Sequence, residues 1–159
     1  MRMTLAALLL LLAGCSTATT TAATADPAAI HRVLEDFHKA ASQADEDRYF
    51  AHFTADAVFM GTDASERWNV PTFRAYAHPF FVEDKGWTFT PRDRHVMSHG
   101  EVAWFDEVLD SESYGQCRGT GVLRREGGVW KISQYNLTIP IPNSLAREVV
   151  RQIRESANP

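Results

Sequence analysis

A chain of 159 residues can bury a hydrophobic core and has the usual size of one domain. Hydrophobic residues make up 45% of the chain and charged residues 23%, which is typical of a globular protein. The formal net charge of −4 excludes the basic footprint of a nucleic-acid-binding domain and the basic patch of a protein that is held on membranes by charge.

The first residues have the pattern of a bacterial export signal. One arginine precedes an apolar run from Leu5 to Leu12, which is too short to span a bilayer but suits the centre of a secretory signal. The run ends in Leu12-Ala13-Gly14-Cys15, which resembles the lipobox of bacterial lipoproteins. That resemblance implies cleavage before Cys15, lipidation of its sulfur and anchoring of the mature chain in a membrane.

This pattern predicts a signal peptide at 1–14, a lipidated cysteine with a flexible Ser/Thr/Ala tether at 15–25, and a folded domain at 26–159. Ser16 after the cysteine matches the sorting pattern of Gram-negative outer-membrane lipoproteins. We therefore expect the bacterial cell envelope as the location, on the periplasmic face of the outer membrane if the host is Gram-negative. With Cys15 acylated, Cys117 has no partner for an intramolecular disulfide.

The first part of the domain is predicted to be helical. Asp26-Pro27 is a typical helix start, with an acidic cap followed by proline at the first helical position. Ile30, Leu34, Phe37 and Ala41 then recur on one face. His38 borders that face, and the sequence leaves open whether it lines a pocket or is a satisfied histidine at the edge of the core.

A short helix at Asp45–Phe53, a strand at 57–60 and a polar loop at 61–68 are predicted next. A third helix begins after Asn69, which can cap it, and carries a thick aromatic stripe. Such a stripe is typical of a core or of a ligand cage, and the pattern alone does not choose between them.

Four successive strands are predicted in the second half of the chain. They are Trp87–Ser98, Glu101–Leu109, Gln116–Arg125 and Val129–Thr138. Dipeptides that tolerate tight hairpin turns, His99-Gly100 and Gly127-Gly128, join the first two strands and the last two. A final helix is expected after Asn143-Ser144.

The hairpin registers decide which polar residues share a face of this sheet. A turn at His99-Gly100 would place Ser98 opposite Glu101, and pairing of Val122 with Ile132 would place Thr120 opposite Gln134. One face would then be apolar at one end and polar at the other, as in small-ligand sites. Its members would be Arg118, Thr120, Val122, Trp130, Ile132, Gln134 and Asn136.

The order of elements resembles the cone of the nuclear transport factor 2-like superfamily. Three stretches also resemble its SnoaL-like branch: Phe37–Ala41 with Asp47–Phe50, Gly61–Asp63 with Glu66–Trp68, and Cys117–Leu123 with Trp130–Ile132 and Tyr135–Leu137. The resemblance spans Ala28 to Asn143. It implies an α+β fold in which a strongly curved, mostly antiparallel sheet wraps around N-terminal helices, and it makes a homodimer the expected assembly.

The superfamily includes ketosteroid isomerase and polyketide cyclases. The isomerase uses a tyrosine on the first helix and an aspartate after the first strand. The matching places in this chain hold Phe37 and Gly61, with Asp63 two residues further on. Because a phenyl ring cannot donate a hydrogen bond to a developing enolate, the sequence argues against ketosteroid isomerisation.

Three functions stay open at this point. The first is binding of a small apolar or amphipathic molecule in the cone of a secreted, lipid-anchored domain. The second is an acid–base isomerase, cyclase or dehydratase acting on a small organic substrate. The third is a dimeric protein-interaction module.

Each pocket hypothesis names its residues. The candidate ligand-binding residues are Tyr49, Trp68, Tyr76, Arg118, Thr120, Gln134 and Asn136. The candidate catalytic residues are Asp63, Asp106 or Glu107 as the base and His38 or His95 as its partner, with Arg118 stabilising negative charge. The spacings of metal ligands, phosphate loops and nucleophile elbows do not occur, so we expect no metal and no cofactor. The net charge of −4 makes us expect no nucleic-acid partner.

Overall fold

The computed structural model describes residues 26–156, which form four helices and six strands. The helices are α1 (Pro27–Ser42), α2 (Glu46–Ala51), α3 (Val70–Val82) and α4 (Ala146–Ser156). The strands are β1 (Phe53–Met60), β2 (Arg67–Asn69), β3 (Thr90–His99), β4 (Val102–Ser111), β5 (Gly115–Glu126) and β6 (Val129–Thr138). The predicted signal peptide, the lipidation of Cys15 and the tether lie outside the described residues.

The six strands form one curved, unclosed sheet in the order β2-β1-β6-β5-β4-β3. All neighbouring strands are antiparallel except β1 and β6, which run parallel. The helices α1, α2 and α3 precede the long strands and pack on one face of the sheet. The predicted α+β class is therefore confirmed. Among the helices of residues 26–156, none has the length and apolar character needed to cross a bilayer.

Helix α1 begins and packs as its sequence predicts. The Asp26 side chain accepts a hydrogen bond from the backbone N–H of Ala28 at 3.0 Å, which satisfies one of the unpaired donors at the helix start. The predicted apolar face, including Ile30, Leu34 and Phe37, is buried. His38 is also buried, at 7% exposure, so its position at the border of the apolar face places it inside the protein.

Helix α3 divides its aromatic stripe between the core and the surface. The Asn69 side chain caps the helix by accepting from the N–H of Thr72 at 2.9 Å. Phe73 and Phe81 are buried in the core, whereas Tyr76 and Phe80 are 48% and 41% exposed. The core interpretation is therefore confirmed for Phe73 and Phe81, and the cage interpretation stays a prediction for Tyr76 and Phe80.

The first hairpin uses a different turn from the one predicted. His99 pairs with Val102, so Gly100 and Glu101 form the turn, and Gly100 takes a positive φ of 58° that suits glycine. The predicted partners are thus wrong by two residues from His95 to His99, which keeps paired side chains on the same face because strand side chains alternate with a period of two. An irregularity between Arg92 and His95 reduces the error to one residue at Arg92, which pairs with Val108.

The second hairpin contains a bulge that the prediction missed. Leu123 pairs with Ile132, but its neighbour Val122 pairs with Gln134, so β6 carries one extra residue at Ser133. An extra residue reverses the alternation of side chains along the strand. Trp130 and Ile132 before the bulge are buried, and so are Tyr135 and Leu137 after it.

The predicted graded face is therefore wrong, because it joins residues from opposite faces. We call the face that packs on the helices the inner face; it carries Glu107, Cys117 and Tyr135. The opposite, outer face carries the members of the predicted set that were assigned polar contacts with a ligand. These are Arg118, Thr120, Gln134 and Asn136.

Candidate functional site

A cavity of about 290 Å³ opens between the inner face of the sheet, α1 and α3. Eleven of its eighteen lining residues are Phe, Tyr or Trp, so most of its wall consists of aromatic rings. Polar side chains enter the lining at a few places only, notably His38, Thr62, Glu66 and Ser113. An apolar wall with a small number of polar groups is the usual design of a small-molecule site.

Five of these rings form a stack from the floor of the cavity to its rim, which we call the ring ladder: Tyr135, Phe59, Phe73, Trp68 and Tyr76. Successive rings are inclined by 8°, 14°, 15° and 22°, with centroids 5.5, 3.9, 5.7 and 4.7 Å apart. The ladder runs from a tyrosine with 2% exposure to one with 48% exposure. Nearly parallel rings at these separations match offset stacking.

Below the floor lies a cluster of buried polar groups, which we call the Glu107 cluster. Glu107 is fully buried on the inner face of β4. One of its carboxylate oxygens, Oε1, lies 2.7 Å from His38 Nε2 and accepts a hydrogen bond from the Tyr135 hydroxyl at 3.1 Å. The other, Oε2, accepts from Arg94 Nε at 2.7 Å. The carboxylate therefore joins α1 to β3, β4 and β6.

The neighbours of Glu107 decide its ionisation. Burial alone raises the pKa of the Glu107 carboxyl, but the hydrogen bond and charge of His38 and the charge of Arg94 outweigh burial and lower the pKa below its ordinary value. The pKa of the Tyr135 hydroxyl is raised well above its ordinary value, by burial first and then by the adjacent Glu107 charge. Glu107 is thus ionised near neutral pH, and Tyr135 keeps its proton and donates it.

The ionised carboxylate also fixes the orientation of His38. An ionised carboxylate only accepts hydrogen bonds, so His38 Nε2 must carry the proton that lies between them. In a neutral imidazole the other ring nitrogen, Nδ1, is then an acceptor. Within residues 26–156 no hydrogen bond to Nδ1 is present, and His38 lines the cavity.

The structure separates the five candidate catalytic residues. His38 and Glu107 lie together, with the histidine in the cavity wall and the carboxylate behind it. Asp63 lies in the exposed loop after β1, where its carboxylate accepts from the N–H of Ser65 at 2.8 Å. Asp106 and His95 lie on the outer face, exposed, with 3.9 Å between His95 Nδ1 and the carboxylate.

The candidate ligand-binding residues divide in the same way. Tyr49, Trp68 and Tyr76 line the cavity. The other four, Arg118, Thr120, Gln134 and Asn136, lie on the outer face and do not line it. For Gln134 and Asn136 the cause is the bulge at Ser133, which reverses the alternation of β6. Arg118 and Thr120 were misplaced because Ile132 pairs with Leu123 and not with Val122 as predicted.

Sequence reasoning did not single out three residues of the site. Arg94 shares the inward side of β3 with Val96, and that alternation was a usable signal. Tyr135 was missed because an alternation without the bulge at Ser133 assigns it to the outer face. Glu66 lines the cavity and accepts a hydrogen bond from the N–H of Asp63 at 3.1 Å, but nothing in its loop distinguished it from Asp63 beforehand.

The two positions at which ketosteroid isomerase carries polar groups both lie in the cavity wall. Phe37 stacks on Tyr49 with ring centroids 4.6 Å apart, and Gly61 lies beside Glu66. Neither position offers a hydrogen-bonding side chain. In the part of the chain that the structure describes, no cluster of His, Cys, Asp and Glu is arranged to hold a metal ion.

A family model described as the SnoaL-like domain matches residues 30–142. This chain therefore belongs to the SnoaL-like family. Among curated proteins, none matches the chain significantly.

Solved structures resemble the fold at low sequence identity. A nuclear transport factor 2-like protein of unknown function from Pseudomonas putida superposes with a TM-score of 0.65 at 18% identity, over 76% of this chain and 92% of that one. A protein from Streptomyces avermitilis, proposed to be a dehydratase of the same superfamily, gives 0.63 at 14% identity, over 72% and 96%. A proposed aromatic ring hydroxylase from Novosphingobium aromaticivorans gives 0.60 at 19%, over 74% and 90%. At these identities the similarity shows the fold alone.

Proposed function

We propose that this domain binds a small, planar, largely apolar molecule in its aromatic cavity. The ring ladder carries this proposal. Phe59, Phe73 and Trp68 are nearly parallel, and a flat aromatic ligand can extend such an arrangement by offset stacking. A cavity of about 290 Å³ lies at the small end of ligand sites, which suits a body of one or two fused rings.

The polar contact of the ligand is expected at the floor of the cavity. His38 Nδ1 has no partner among the described residues, and in the neutral form of the ring a ligand hydroxyl or amide N–H can donate to it. The Glu107 cluster fixes the tautomer and the position of the ring. One oriented polar group in an apolar wall is enough to set the direction in which a flat molecule enters.

We also propose that this binding takes place at the bacterial cell envelope. The support is the N-terminal sequence, in which an apolar run ends in Leu12-Ala13-Gly14-Cys15. Metabolic labelling with a fatty acid should label the full-length protein and fail to label Cys15→Ser. Equal labelling of the two proteins would contradict the proposal. The homodimer stays a prediction.

Calorimetric titration of the full-length protein with 2-naphthol tests the binding proposal. Trp68→Ala removes a ring of the ladder and should weaken binding by about 2- to 12-fold, the equivalent of about 0.5–1.5 kcal/mol for one aromatic pair. Trp104→Ala is the matched control, because Trp104 lies on the outer face and is 40% exposed. Absence of saturable binding, or equal losses in the two variants, would overturn the proposal.

A second candidate function is acid–base catalysis by His38. The observation that favours it is the 2.7 Å contact between His38 Nε2 and the buried Glu107, which holds the imidazole in one orientation. A carboxylate behind a histidine also stabilises the imidazolium that forms when Nδ1 accepts a proton from a substrate. His38 would be the catalytic residue and Glu107 a positioning residue.

Deuterium exchange at the activated methylene of 2-tetralone tests this candidate by NMR in D₂O. The protein should accelerate exchange above the buffer rate, and His38→Gln should abolish the acceleration. Glu107→Gln should keep part of the acceleration and change its pH profile, because it alters only the orientation and basicity of the ring. Exchange at the buffer rate with the unmodified protein would exclude proton abstraction from this class of ketone.

A further inference from the structure

An open groove of about 670 Å³ adjoins the aromatic cavity. The two share five lining residues, among them Trp87, Phe89 and Tyr114, so they lie side by side at the end of the molecule formed by the β4–β5 hairpin. The ring ladder does not account for this groove. The five shared residues make it a continuation of the cavity.

The boundary between cavity and groove is a pair of rings. Phe89 and Tyr114 are inclined by 4° with centroids 6.4 Å apart. Phe89 lies in the segment before β3 and Tyr114 in the turn between β4 and β5, so neither ring sits within a regular element. Tyr114 is 53% exposed and little packing restrains it. Phe89 packs against the hydrophobic core, so Tyr114 is the side of the boundary that can move around a ligand.

The chemistry changes across this boundary. The groove is lined by hydroxyl and amide groups, including Thr88, Thr90, Ser111 and Gln116. Of its three charged residues two are paired: Asp110 accepts from Arg92 at 2.8 Å, and Lys85 pairs with Glu83. The third, Glu112, is an exposed carboxylate, which repels a phosphate. The groove thus offers mainly uncharged hydrogen-bonding groups, which match hydroxyl groups better than a phosphate or another strongly charged group.

We propose that cavity and groove form one site for an amphipathic molecule with an aromatic body and an uncharged, hydroxyl-rich tail, such as an aryl glycoside. The body stacks on the ring ladder, and the tail passes between Phe89 and Tyr114 into the groove. The tail continues into the groove because the hydroxyl and amide groups there suit it better than the aromatic wall of the cavity. This inference rests on the proposed binding function and adds the class of ligand.

Calorimetry with two probes on the full-length protein tests the inference. The probes are 2-naphthol and 2-naphthyl β-D-glucoside, which share the naphthalene ring; in the glucoside the sugar replaces the hydroxyl proton that 2-naphthol can donate to His38 Nδ1. The glucoside should still bind at least about 5-fold more tightly than 2-naphthol, because its sugar hydroxyls should make one or two hydrogen bonds in the groove beyond the one lost at His38. Thr88 lines the groove and not the cavity, so Thr88→Trp should fill the groove and weaken the glucoside about 10-fold or more while 2-naphthol stays within about 2-fold.

Thr138→Trp is the matched control, because it places the same ring on an exposed threonine of the outer face and should leave both affinities unchanged. Binding of 2-naphthol alone, or an equal effect of Thr88→Trp on both probes, would overturn the inference and leave the proposed function in place. Failure of both probes to bind the unmodified protein would overturn the proposed function and the inference with it.

Discussion

Asp106 and Glu107 are neighbours in β4, yet their side chains lie on opposite faces of the sheet. Each carboxylate faces a histidine. On the outer face, His95 Nδ1 is 3.9 Å from Asp106, and these side chains are 63% and 52% exposed. On the inner face, His38 Nε2 is 2.7 Å from Glu107, and these side chains are 7% and 0% exposed. A histidine–carboxylate pair therefore occurs twice, once exposed to water and once in the core.

The comparison shows that burial, rather than residue type, decides what such a pair contributes. An exposed pair is screened by water and contributes about 0–1 kcal/mol. Removing one member of a buried pair leaves an uncompensated charge in the core and costs about 3–5 kcal/mol. Arg94 increases the cost of losing the Glu107 carboxylate, because its guanidinium is also buried and has Glu107 as its charge partner.

Glu107→Ala should therefore produce the largest loss of stability. The substitution leaves Arg94 without its carboxylate and leaves His38 and Tyr135 without their acceptor. We expect the free energy of unfolding to fall by about 3–5 kcal/mol, measured by urea denaturation.

Asp106→Ala is the control for that experiment, because it removes the neighbouring carboxylate from an exposed site. Its effect should stay within about 0.5 kcal/mol. If Glu107→Ala does not fold, Glu107→Gln keeps the volume of the side chain and allows the same comparison. Similar losses for Asp106→Ala and either Glu107 variant would refute the difference between the faces.

Gly121→Ala should produce the next largest effect. Gly121 is buried on the inner face of β5, where an added Cβ would lie 2.7 Å from Cε1 of Phe105 and would collide with the backbone oxygen of Gln134. Backbone cannot move aside as a flexible side chain can, so we expect a loss of about 1–3 kcal/mol by urea denaturation. Thr120→Ala, the adjacent position on the outer face, should change stability by less than about 0.5 kcal/mol.

Acid should remove part of the Glu107 contribution, a smaller change than removal of the side chain. The pKa of Glu107 is lower in the fold than in the unfolded chain, whose glutamate pKa is about 4.3. The stabilisation is then fully present above that unfolded value and is lost as the pH falls through the lower folded value. The difference in unfolding free energy between the unmodified protein and Glu107→Gln should shrink below about pH 4.

Gly121→Ala serves as the control for the acid titration, because it changes packing and adds or removes no titratable group. Its difference from the unmodified protein should stay constant over the same pH range. A constant difference for Glu107→Gln as well would show that the carboxylate keeps the same pKa on folding.

The sequence predicted the parts of this structure that depend on local pattern. The Asp26 cap, the apolar face of α1 and the succession of long strands follow from short-range signals, and the structure agrees with each. His38 and Glu107 were both candidates, since a histidine beside an apolar face and a carboxylate inside an apolar strand are visible in one sequence. Their contact was not predictable, because 69 residues separate them.

The polar lining was mispredicted for a physical reason. A bulge adds one residue to β6 without any required residue type, so the alternation before Ser133 gives the wrong face after it. Gln134 and Asn136 were assigned to the cavity on that alternation, and they lie on the outer face. Arg118 and Thr120 lie there too, because Leu123 and not Val122 pairs with Ile132. Whether Glu107 or Asp106 is buried likewise depends on which face of the sheet packs on the helices. The sequence of β4 alone does not reveal which face that is.

The smallest expected effect is the coupling between His95 and Asp106, and it tests the comparison most directly. A double-mutant cycle with His95→Ala and Asp106→Ala isolates the energy of that pair from the cost of each substitution. At 3.9 Å and with both side chains more than half exposed, the coupling should be below about 0.5 kcal/mol and should vanish in high salt. The same cycle with His38→Ala and Glu107→Gln should give a coupling of about 1–3 kcal/mol that salt does not remove, because the core excludes the screening ions. Equal couplings would mean that contact with the helices does not decide the contribution of a pair, and the Glu107 cluster would then lose its role in fixing His38 at the cavity floor.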